Sequence, residues 1–217
     1  MKAINVTGKK TGMEIYQAAL DLFSEKGYEG TSMSMIAKVV GISKANLYYY
    51  CSSKENLLYR IYLHDLQENF IPILNEAEKL RDPKERLSYF LRQTALLNTL
   101  NPTSRILVHE IRNLDRTHYN EIRSIWKRAY ALVSQSVKDL KKSERVRELR
   151  ESFLTFLSLG MVLWIPYWFD YSRQENAGEL ADTLVQVLLN GMLYPPNKKK
   201  LSDVEKAIAK AETEELW

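Results

Sequence analysis

The spacing of apolar side chains is the feature that most restricts how this chain can fold. Apolar residues recur every three or four positions along most of the sequence, as they do on one face of an α-helix. No stretch alternates apolar and polar residues in the manner of a half-buried strand. Candidate helix caps and breaker residues fall between the periodic segments rather than within them. We therefore predict an all-α fold with about nine or ten helices.

The predicted helices divide the chain into a small N-terminal module and a larger body. Helices are expected over residues 9–26, 33–41, 44–50, 54–72, 116–140, 144–170 and 177–193, with two more that start at Pro83 and Pro102. The module comprises residues 9–55, and the body comprises residues 56–195. A polar tail, residues 196–217, contains Ser202 and Glu205 at the spacing of a capping box, which predicts one further short helix.

The composition restricts the compartment and the chemistry of the protein. Cys51 is the single cysteine in 217 residues, so the chain forms no internal disulfide and offers no cysteine cage for a metal. The first residues hold no apolar core of a secretion signal. The most apolar stretch, residues 153–169, is interrupted by Pro166 and is too short to span a membrane. We expect a cytoplasmic protein without a membrane segment, a metal or a cofactor. The net charge of +4 permits nucleic-acid binding without predicting it.

Residues 31–50, TSMSMIAKVVGISKANLYYY, have the layout of a helix-turn-helix. Two short helices that cross at a steep angle pack only where a small side chain lies at the crossing, and Ala37 meets this need. Gly41 accepts the backbone angles of a tight turn. Ile42 supplies an apolar contact from the turn, and Leu47 holds the second helix from behind. The segment therefore predicts a helix-turn-helix unit.

The second helix of this unit leaves a short polar and aromatic face for solvent. Its members are small, cationic, amide and phenolic side chains: Ser43, Lys44, Ala45, Asn46, Tyr48, Tyr49 and Tyr50. Such a face fits a major groove about 12 Å wide. Lysine neutralises phosphate charge, and a tyrosine hydroxyl can donate to a phosphate oxygen. The amide of Asn46 can pair with the N6 and N7 edge of adenine. On periodicity alone, the alternative is an amphipathic three-helix bundle with surface tyrosines.

At these residues the sequence resembles a known family, the tetracycline-repressor (TetR) transcription regulators. The resemblance covers residues 12–62 and rests on segments at the family's spacing, AALDLFSEKGYEGTS, IAKVVGISKANLYYY and SKENLL. It implies that the following side chains hold DNA phosphates: Ser32, Lys44, Tyr48, Tyr49 and Lys54. It implies that the following side chains face the bases: Ser43, Ala45 and Asn46.

The sequence departs from the family's pattern at three packing positions. Met35 stands where an acidic residue often completes a capping box, so the second helix depends on Ser32 alone. Val40 replaces the usual alanine before the turn glycine. Cys51 stands in place of a phenylalanine that wedges the third helix against the fourth. These departures concern the packing of the module and remove no expected DNA contact.

The body is predicted to hold a dimer interface. One helix-turn-helix contacts too few base pairs to define a genomic site, so such proteins usually dimerise and bind half-sites about 34 Å apart or a multiple of that distance. Apolar stripes on the last two long helices are candidates for a four-helix interface. They comprise Phe153, Phe156, Leu157, Leu159 and Leu163 on the first helix, and Leu180, Leu184, Val187, Leu188 and Met192 on the second. The alternative is that both stripes pack inside the monomer.

The body also contains residues suited to a ligand pocket, which needs apolar walls with a few convergent polar groups. The candidates are His109, Arg112, Asn113, Tyr119, Trp126, Tyr130, Trp164, Tyr167 and Trp168. The alternative for each is ordinary core packing or a solvated ion pair. Residues 109–130 and 160–192 are similar to the C-terminal regions of TetR regulators that respond to acyl-coenzyme A thioesters. That resemblance implies a long amphipathic ligand with an anionic end.

Together these patterns predict a ligand-responsive repressor that binds a palindromic operator as a dimer and is released by a small molecule. A regulator of efflux that responds to a drug-like ligand is the alternative for the ligand class. A helical adaptor protein with a tyrosine-rich contact surface is the alternative from another class. An enzyme is disfavoured, because His109 with Glu110 and His118 with Asp115 are accompanied by no phosphate loop, nucleophile elbow or metal spacing.

Overall fold

The computed structural model describes residues 6–143, 146–147 and 149–193, and every regular element within these ranges is helical. The helices are Val6–Gly30 (α1), Met33–Val40 (α2), Lys44–Tyr50 (α3), Lys54–Asp65 (α4), Ile71–Lys79 (α5), Pro83–Leu100 (α6), Thr103–Glu110 (α7), Arg116–Ser143 (α8), Glu151–Leu163 (α9), Ile165–Trp168 (α10) and Ala177–Met192 (α11). A π-helical turn, Leu66–Phe70, follows α4, and short 3-10 segments span Ile111–Asn113 and Tyr171–Asn176. The predicted all-α class is confirmed.

The first three helices form the predicted N-terminal module, and together with the start of α4 they bury side chains in the apolar core that continues into the body. The helical path of α1 breaks at Gly27, where a φ of 72° lies in the left-handed region, next to the predicted end at residue 26. The hydroxyl of Thr31 then donates to the carbonyl oxygens of Leu22 at 3.1 Å and Gly27 at 2.9 Å, which fixes the chain before α2. The buried side chains of this core include Ile15, Ala19, Phe23, Ile36, Ala37, Leu47, Leu57 and Leu58.

A continuous helical rod connects the module to the body. α4, the π turn Leu66–Phe70 and α5 follow one another without a loop, so the rod extends well beyond the predicted end near Pro72. Pro72 has no N–H to donate to the helical ladder, and the π turn lies immediately before it. Leu66 and Phe70 are buried, so the turn belongs to the core of the body.

α6 is the central helix of the body and packs against α5, α8, α9, α10 and α11. It begins as the sequence predicts, with Pro83 at its first position and the Asp82 carboxylate accepting from the backbone N–H of Glu85 at 2.7 Å. Its completely buried side chains include Leu87, Phe90, Leu91 and Ala95.

The prediction of one helix over residues 144–170 is wrong. α8 continues to Ser143, and residues 146–147 lie outside any helix. The backbone N–H of Arg147 donates to the carbonyl oxygen of Met192 at 2.8 Å. This pairing with the end of α11 satisfies the backbone without a helix, and it depends on contacts that sequence spacing does not reveal.

Pro166 is the reason why the apolar stripe beyond residue 150 is divided between α9 and α10. A proline at this position cannot donate to the carbonyl of Val162 four residues earlier. That carbonyl instead accepts from the side-chain amide of Asn98 at 2.8 Å. A buried amide on α6 therefore compensates for the break in the neighbouring helix.

The predicted tail of residues 196–217, with its short helix after Ser202, lies outside the described residues. Among the helices that the structure describes, none combines the length and apolar character needed to cross a membrane.

Candidate functional site

α3 presents its polar and aromatic face outward from the module. The exposed residues of this face are Ser43, Lys44, Ala45, Asn46, Tyr48 and Tyr49. Tyr49 exposes 89% of its surface and Tyr48 exposes 45%, whereas Leu47 points in the opposite direction and is fully buried. Tyr50 differs from the predicted face, because it is half-buried and packs against the core. The outward surface is therefore short and lies mainly on the first two turns of the helix.

The turn between α2 and α3 is fixed by caps that the sequence predicts. The Ser32 hydroxyl accepts from the N–H of Met35 at 3.3 Å, and the Ser43 hydroxyl accepts from the N–H of Asn46 at 3.1 Å. Gly41 adopts φ 75° and ψ 28°, a left-handed conformation that ends α2. Ser32 and Ser43 are both exposed. The serine side chains that cap α2 and α3 therefore remain accessible to solvent.

The joint between α3 and α4 is closed by a buried cysteine and an arginine. Cys51 is buried and its thiol donates to the carbonyl of Leu47 at 3.5 Å, while burial raises the pKa of the thiol. The guanidinium of Arg60 on α4 donates to the carbonyl of Tyr50. The end of α3 is therefore attached to α4 although the phenylalanine typical of the family is absent.

Lys54 has a different environment from the one expected of a phosphate contact. Its ammonium donates to the carbonyl oxygens of Tyr28 at 2.6 Å and Thr31 at 2.9 Å, and it lies 4.1 Å from the centre of the Tyr28 ring. These carbonyls follow the break in α1, so the lysine fastens the end of α1 to the start of α4. Two of the three N–H groups of the Lys54 ammonium donate to carbonyl oxygens of the protein. A contact between the third N–H group and a DNA phosphate remains a prediction.

Most of the predicted ligand residues lie on the surface of the body. The ring of His109 is 4.7 Å from that of Tyr167, which stacks on Trp164 at 4.4 Å. The residues of the predicted set that are exposed are His109, Arg112, Tyr119, Trp164, Tyr167 and Trp168. The side-chain amide of Asn113 donates to Glu110, and Tyr130 packs against Phe156. The set therefore forms a surface aromatic cluster and separate packing contacts rather than one pocket wall.

A cavity of about 630 Å³ lies between the module and the body, bounded by α1, α4, the π turn, α5, α6 and the start of α7. Its walls are apolar with polar groups at intervals: Met13, Tyr16, Gln17, Leu20, Ile61, His64, Asp65, Asn69, Ile73, Gln93, Leu96, Leu97, Leu100, Asn101 and Thr103. The predicted ligand residues do not line it. This volume is in the range of small-molecule sites.

A second, smaller void of about 30 Å³ lies among α4, the π turn, α6, α7 and α8, and a residue with an unsatisfied hydroxyl lines it. Of the predicted ligand residues, Trp126 alone lines it. The Thr94 side chain is 1% exposed, and its Oγ1 has no hydrogen-bond partner within the described structure. Buried polar groups are nearly always paired, so this hydroxyl indicates a position where a water or ligand atom is expected.

Asp65 lies on the walls of both cavities, at the end of α4. Burial raises the pKa of its carboxyl, while amide hydrogen bonds from Asn69 and Asn101, each at 2.8 Å, lower it in part. The connecting rod therefore contributes a carboxyl group to both spaces. Asp65 and Thr94 are not among the residues predicted from the sequence, although each interrupts an apolar helical stripe, which is the signal that could have revealed them.

One face of α9 and α11 carries an exposed apolar surface that differs from the predicted stripes. Leu159, Leu184, Leu188 and Met192 are buried within the monomer. The exposed members of the two stripes, here called the α9–α11 face, are Phe153, Phe156, Leu157 and Val187. Part of each predicted stripe therefore packs inside the monomer, and another part of each stripe is exposed to solvent.

An outward recognition helix on a three-helix module, joined by a rod to a larger helical body with a cavity between the two, is typical of a helix-turn-helix DNA-binding regulator. A family model described as bacterial regulatory proteins, tetR family, matches residues 15–61. A second model, described as a tetracyclin repressor-like C-terminal domain, matches residues 80–192, more than half of the chain. The chain belongs to the TetR family of transcription regulators, and it is a regulator rather than an enzyme.

Individual proteins of known sequence or structure support this assignment. The chain is 26% identical over 177 residues to YvaF, an uncharacterized transcriptional regulator of Bacillus subtilis (strain 168), and the match covers 79% of this chain and 90% of YvaF. It is 52% identical over 44 residues to IcaR of Staphylococcus aureus (strain Newman), a negative regulator of the biofilm operon icaADBC, across 20% of this chain and 24% of IcaR. The structure of AibR in complex with isovaleryl coenzyme A and operator DNA aligns with a TM-score of 0.75 at 28% identity, covering 86% of this chain and 100% of AibR.

Proposed function

We propose that this protein is a repressor that binds a palindromic operator as a homodimer and leaves it when a small molecule binds to the body. The observation that carries the proposal is the outward face of α3, where exposed amide, ammonium and phenol groups lie together. Caps at the end of α2 and at the start of α3 fix the turn that precedes this face. The similarity to IcaR, a negative regulator, supports repression as the direction of control.

The residues of α3 divide into those suited to bases and those suited to phosphates. Asn46 lies in the first turn of α3, where the recognition helix of a helix-turn-helix contacts base edges. Lys44 is exposed beside it, with its ammonium 5.9 Å from the ring centre of Tyr48. A cation next to a phenol hydroxyl is a suitable pair for the phosphate oxygens that border the groove. Tyr49 extends the same surface towards solvent.

Dimerisation through the α9–α11 face supports binding to two half-sites. Phe156 and Leu157 on α9 expose 63% and 64% of their surfaces, and Val187 on α11 is also exposed. Exposed apolar patches of this kind mark interaction surfaces. A symmetric pair of such faces would bury these side chains in a four-helix bundle, with the two recognition helices fixed at one separation.

The smaller void is the proposed place of ligand recognition. Thr94 lines it together with the apolar residues Phe70, Leu107 and Trp126 and the polar residues Asp65, Asn98 and Ser104. Its hydroxyl, which has no partner in the described structure, is therefore one of a few polar groups among apolar walls. A void of about 30 Å³ accommodates one water, so a larger ligand must widen it. Because Leu66 and Phe70 of the π turn also border the void, widening displaces the rod that carries the module.

An acyl-coenzyme A thioester is the proposed ligand class. AibR, which aligns with 86% of this chain, has been crystallised with isovaleryl coenzyme A. A thioester carbonyl is an acceptor that matches the free Thr94 hydroxyl, and a short branched acyl chain matches the apolar walls. The phosphates of coenzyme A would then lie outside the void, where arginine side chains are the groups best suited to bind them. Ligand binding shifts the population of rod positions, and a coupling of about 1 to 3 kcal/mol changes operator affinity by roughly 5- to 150-fold.

Substitutions on α3 test the division between base and phosphate contacts. Asn46→Ala is expected to weaken binding to the operator by about 1 to 3 kcal/mol and to leave binding to random DNA unchanged. Lys44→Ala is expected to weaken binding to both duplexes alike and to reduce the slope of log affinity against log salt by about 1. Fluorescence anisotropy with a duplex selected in vitro and a random duplex, at several salt concentrations, measures both effects. Equal losses on both duplexes in both variants would contradict the proposed roles, and affinity independent of salt would favour the adaptor alternative.

Thr94→Val tests the ligand site. The substitution removes a hydroxyl that has no protein partner at nearly constant shape, so the free energy of unfolding without ligand should change by less than about 1 kcal/mol. Isovaleryl coenzyme A should bind roughly tenfold more weakly, because it loses a hydrogen bond. Thr99→Val is the matched control, since the buried Thr99 hydroxyl is already bonded to the carbonyls of Ala95 and Leu96. That control should lose stability and keep its ligand affinity. Calorimetry and thermal unfolding give both quantities, and identical behaviour of the two variants would exclude Thr94 as the anchor.

A further inference from the structure

A histidine and two carboxylates converge where the body meets the first turn of α4. Glu55 extends from α4, while Asp115 and His118 lie at the beginning of α8. One potential ligand atom from each residue lies within 4.8 Å of the other two. The sequence pattern had suggested His118 and Asp115 only as an acid and base pair, and the fold adds Glu55 from sixty residues earlier in the chain. The cluster thus connects the DNA-binding module to the regulatory body.

The backbone at the start of α8 fixes the direction of both carboxylates. The backbone N–H of His118 donates to Oδ1 of Asp115 at 2.8 Å. The other carboxylate oxygen of Asp115, Oδ2, points to the imidazole and lies 3.2 Å from Nδ1 of His118. The N–H of Asp115 donates to Oε1 of Glu55 at 3.1 Å, and the same oxygen lies 2.9 Å from Nδ1. The carboxylate oxygens are therefore held in place by groups other than the imidazole.

A neighbouring tyrosine sets the orientation of the imidazole. The ring of Tyr59 stacks on that of His118 at a centroid distance of 3.8 Å and an interplanar angle of 14°. Burial and, to a smaller extent, a side-chain hydrogen bond with Glu121 raise the pKa of the Tyr59 phenol, and the hydrogen bond holds the tyrosine against α8. Glu55 and His118 each expose less than a quarter of their side-chain surface, so the ring and one carboxylate are partly shielded from water.

The positions of these three ligand atoms suit a shared cation better than hydrogen bonds alone. Nδ1 of an imidazole donates at most one hydrogen bond, yet two carboxylate oxygens lie within 3.2 Å of it. A divalent metal satisfies all three at once. Bonds of about 2.0 to 2.2 Å in tetrahedral geometry place neighbouring ligand atoms about 3.4 Å apart. The distances of 2.9 and 3.2 Å need to open by only a few tenths of an ångström to reach this value.

We propose that Glu55, Asp115 and His118 bind a divalent first-row metal ion, with Zn²⁺ as the reference ion. An imidazole nitrogen beside carboxylate oxygens favours such an ion over Mg²⁺ or Ca²⁺, which prefer oxygen ligands alone. Water completes the coordination, because the cluster supplies three ligands and Asp115 is open to solvent. The ion links α4 to α8, so it restricts the movement of the module relative to the body. Metal binding should therefore alter operator affinity as well as stability.

Calorimetric titration of the full chain with Zn²⁺ tests the site. The wild type should bind one ion per chain, and His118→Ala should reduce the affinity at least tenfold. The chain has three histidines, so His109→Ala, which changes an exposed imidazole elsewhere, is the matched control and should bind as the wild type does. Asp115→Asn should also weaken binding although asparagine preserves the helix cap, which separates loss of a ligand from loss of the helix start.

Thermal unfolding and DNA binding complete the experiment. Zn²⁺ should raise the Tm by several degrees in the wild type and in His109→Ala, and should leave the Tm of His118→Ala unchanged. Operator affinity should respond to Zn²⁺ in the same pattern. Absence of saturable binding to the wild type would overturn the proposal, as would equal binding by His118→Ala. Either result would leave the role of α3 in DNA binding intact, because the Lys44 and Asn46 variants are measured without metal.

Discussion

A glutamate in place of Leu157 is expected to convert the protein to monomers and to weaken operator binding by about 100-fold or more. Leu157 belongs to the exposed α9–α11 face, where its side chain has no role in the monomer core. A carboxylate there would be buried without a partner at the centre of a symmetric interface, where each copy places it near its counterpart. A monomer holds one recognition helix and therefore contacts one half-site, which removes a large part of specific affinity.

Sedimentation velocity gives the oligomeric state, and fluorescence anisotropy gives the operator affinity of the same samples. Leu100→Glu is the matched control, because Leu100 is also an exposed leucine but lies at the end of α6 beside the larger cavity. That variant should remain a dimer and keep its affinity. If Leu157→Glu remains dimeric at low micromolar concentration, the interface must lie on another surface of the body.

Lys54→Met is expected to destabilise the N-terminal module by roughly 2 to 3 kcal/mol, because two carbonyl oxygens lose a charged donor. Methionine preserves most of the side-chain length, so the loss reflects the hydrogen bonds to Tyr28 and Thr31 and the contact with the Tyr28 ring. The end of α1 would then detach from α4, and operator affinity would fall because α2 and α3 lose their fixed position.

Chemical unfolding followed by circular dichroism measures the change, with Lys44→Met as control. Lys44 is exposed on α3, so its replacement should change the free energy of unfolding by no more than about 0.5 kcal/mol while still weakening DNA binding. The two lysines thus separate stability from phosphate contact. If Lys54→Met is as stable as the wild type and binds DNA less well, Lys54 acts at the phosphates, as the family resemblance implied.

The module could be predicted closely from the sequence because its determinants are local. Ser32, Gly41 and Ser43 act within a few residues of themselves, and their capping bonds form as the spacing indicates. Tyr50 departs from the pattern because it lies at the last turn of α3, where α4 returns against it through Arg60. The spacing of apolar residues within one helix does not predict a contact between that helix and the next one.

The interface and the ligand site could be predicted only in part, since helical spacing does not say which neighbour a side chain meets. Leu184 and Val187 are both apolar on α11, yet the first packs inward and the second faces solvent. Trp164 lies at the helix break near Pro166 and is exposed, although its type suggested a pocket wall. Thr94 looks ordinary in sequence, and its importance comes from the absence of a partner for its hydroxyl in the described structure.

The π turn at Leu66–Phe70 imposes a condition on any chimera that grafts a foreign DNA-binding head onto this body. A helix turns by about 100° and advances about 1.5 Å for every residue. A graft that joined the two parts through regular helix, with one residue more or fewer, would swing each head by about that angle around the rod. The two heads of a dimer would then face different sides of the duplex, so the graft must keep the helical phase that the turn sets.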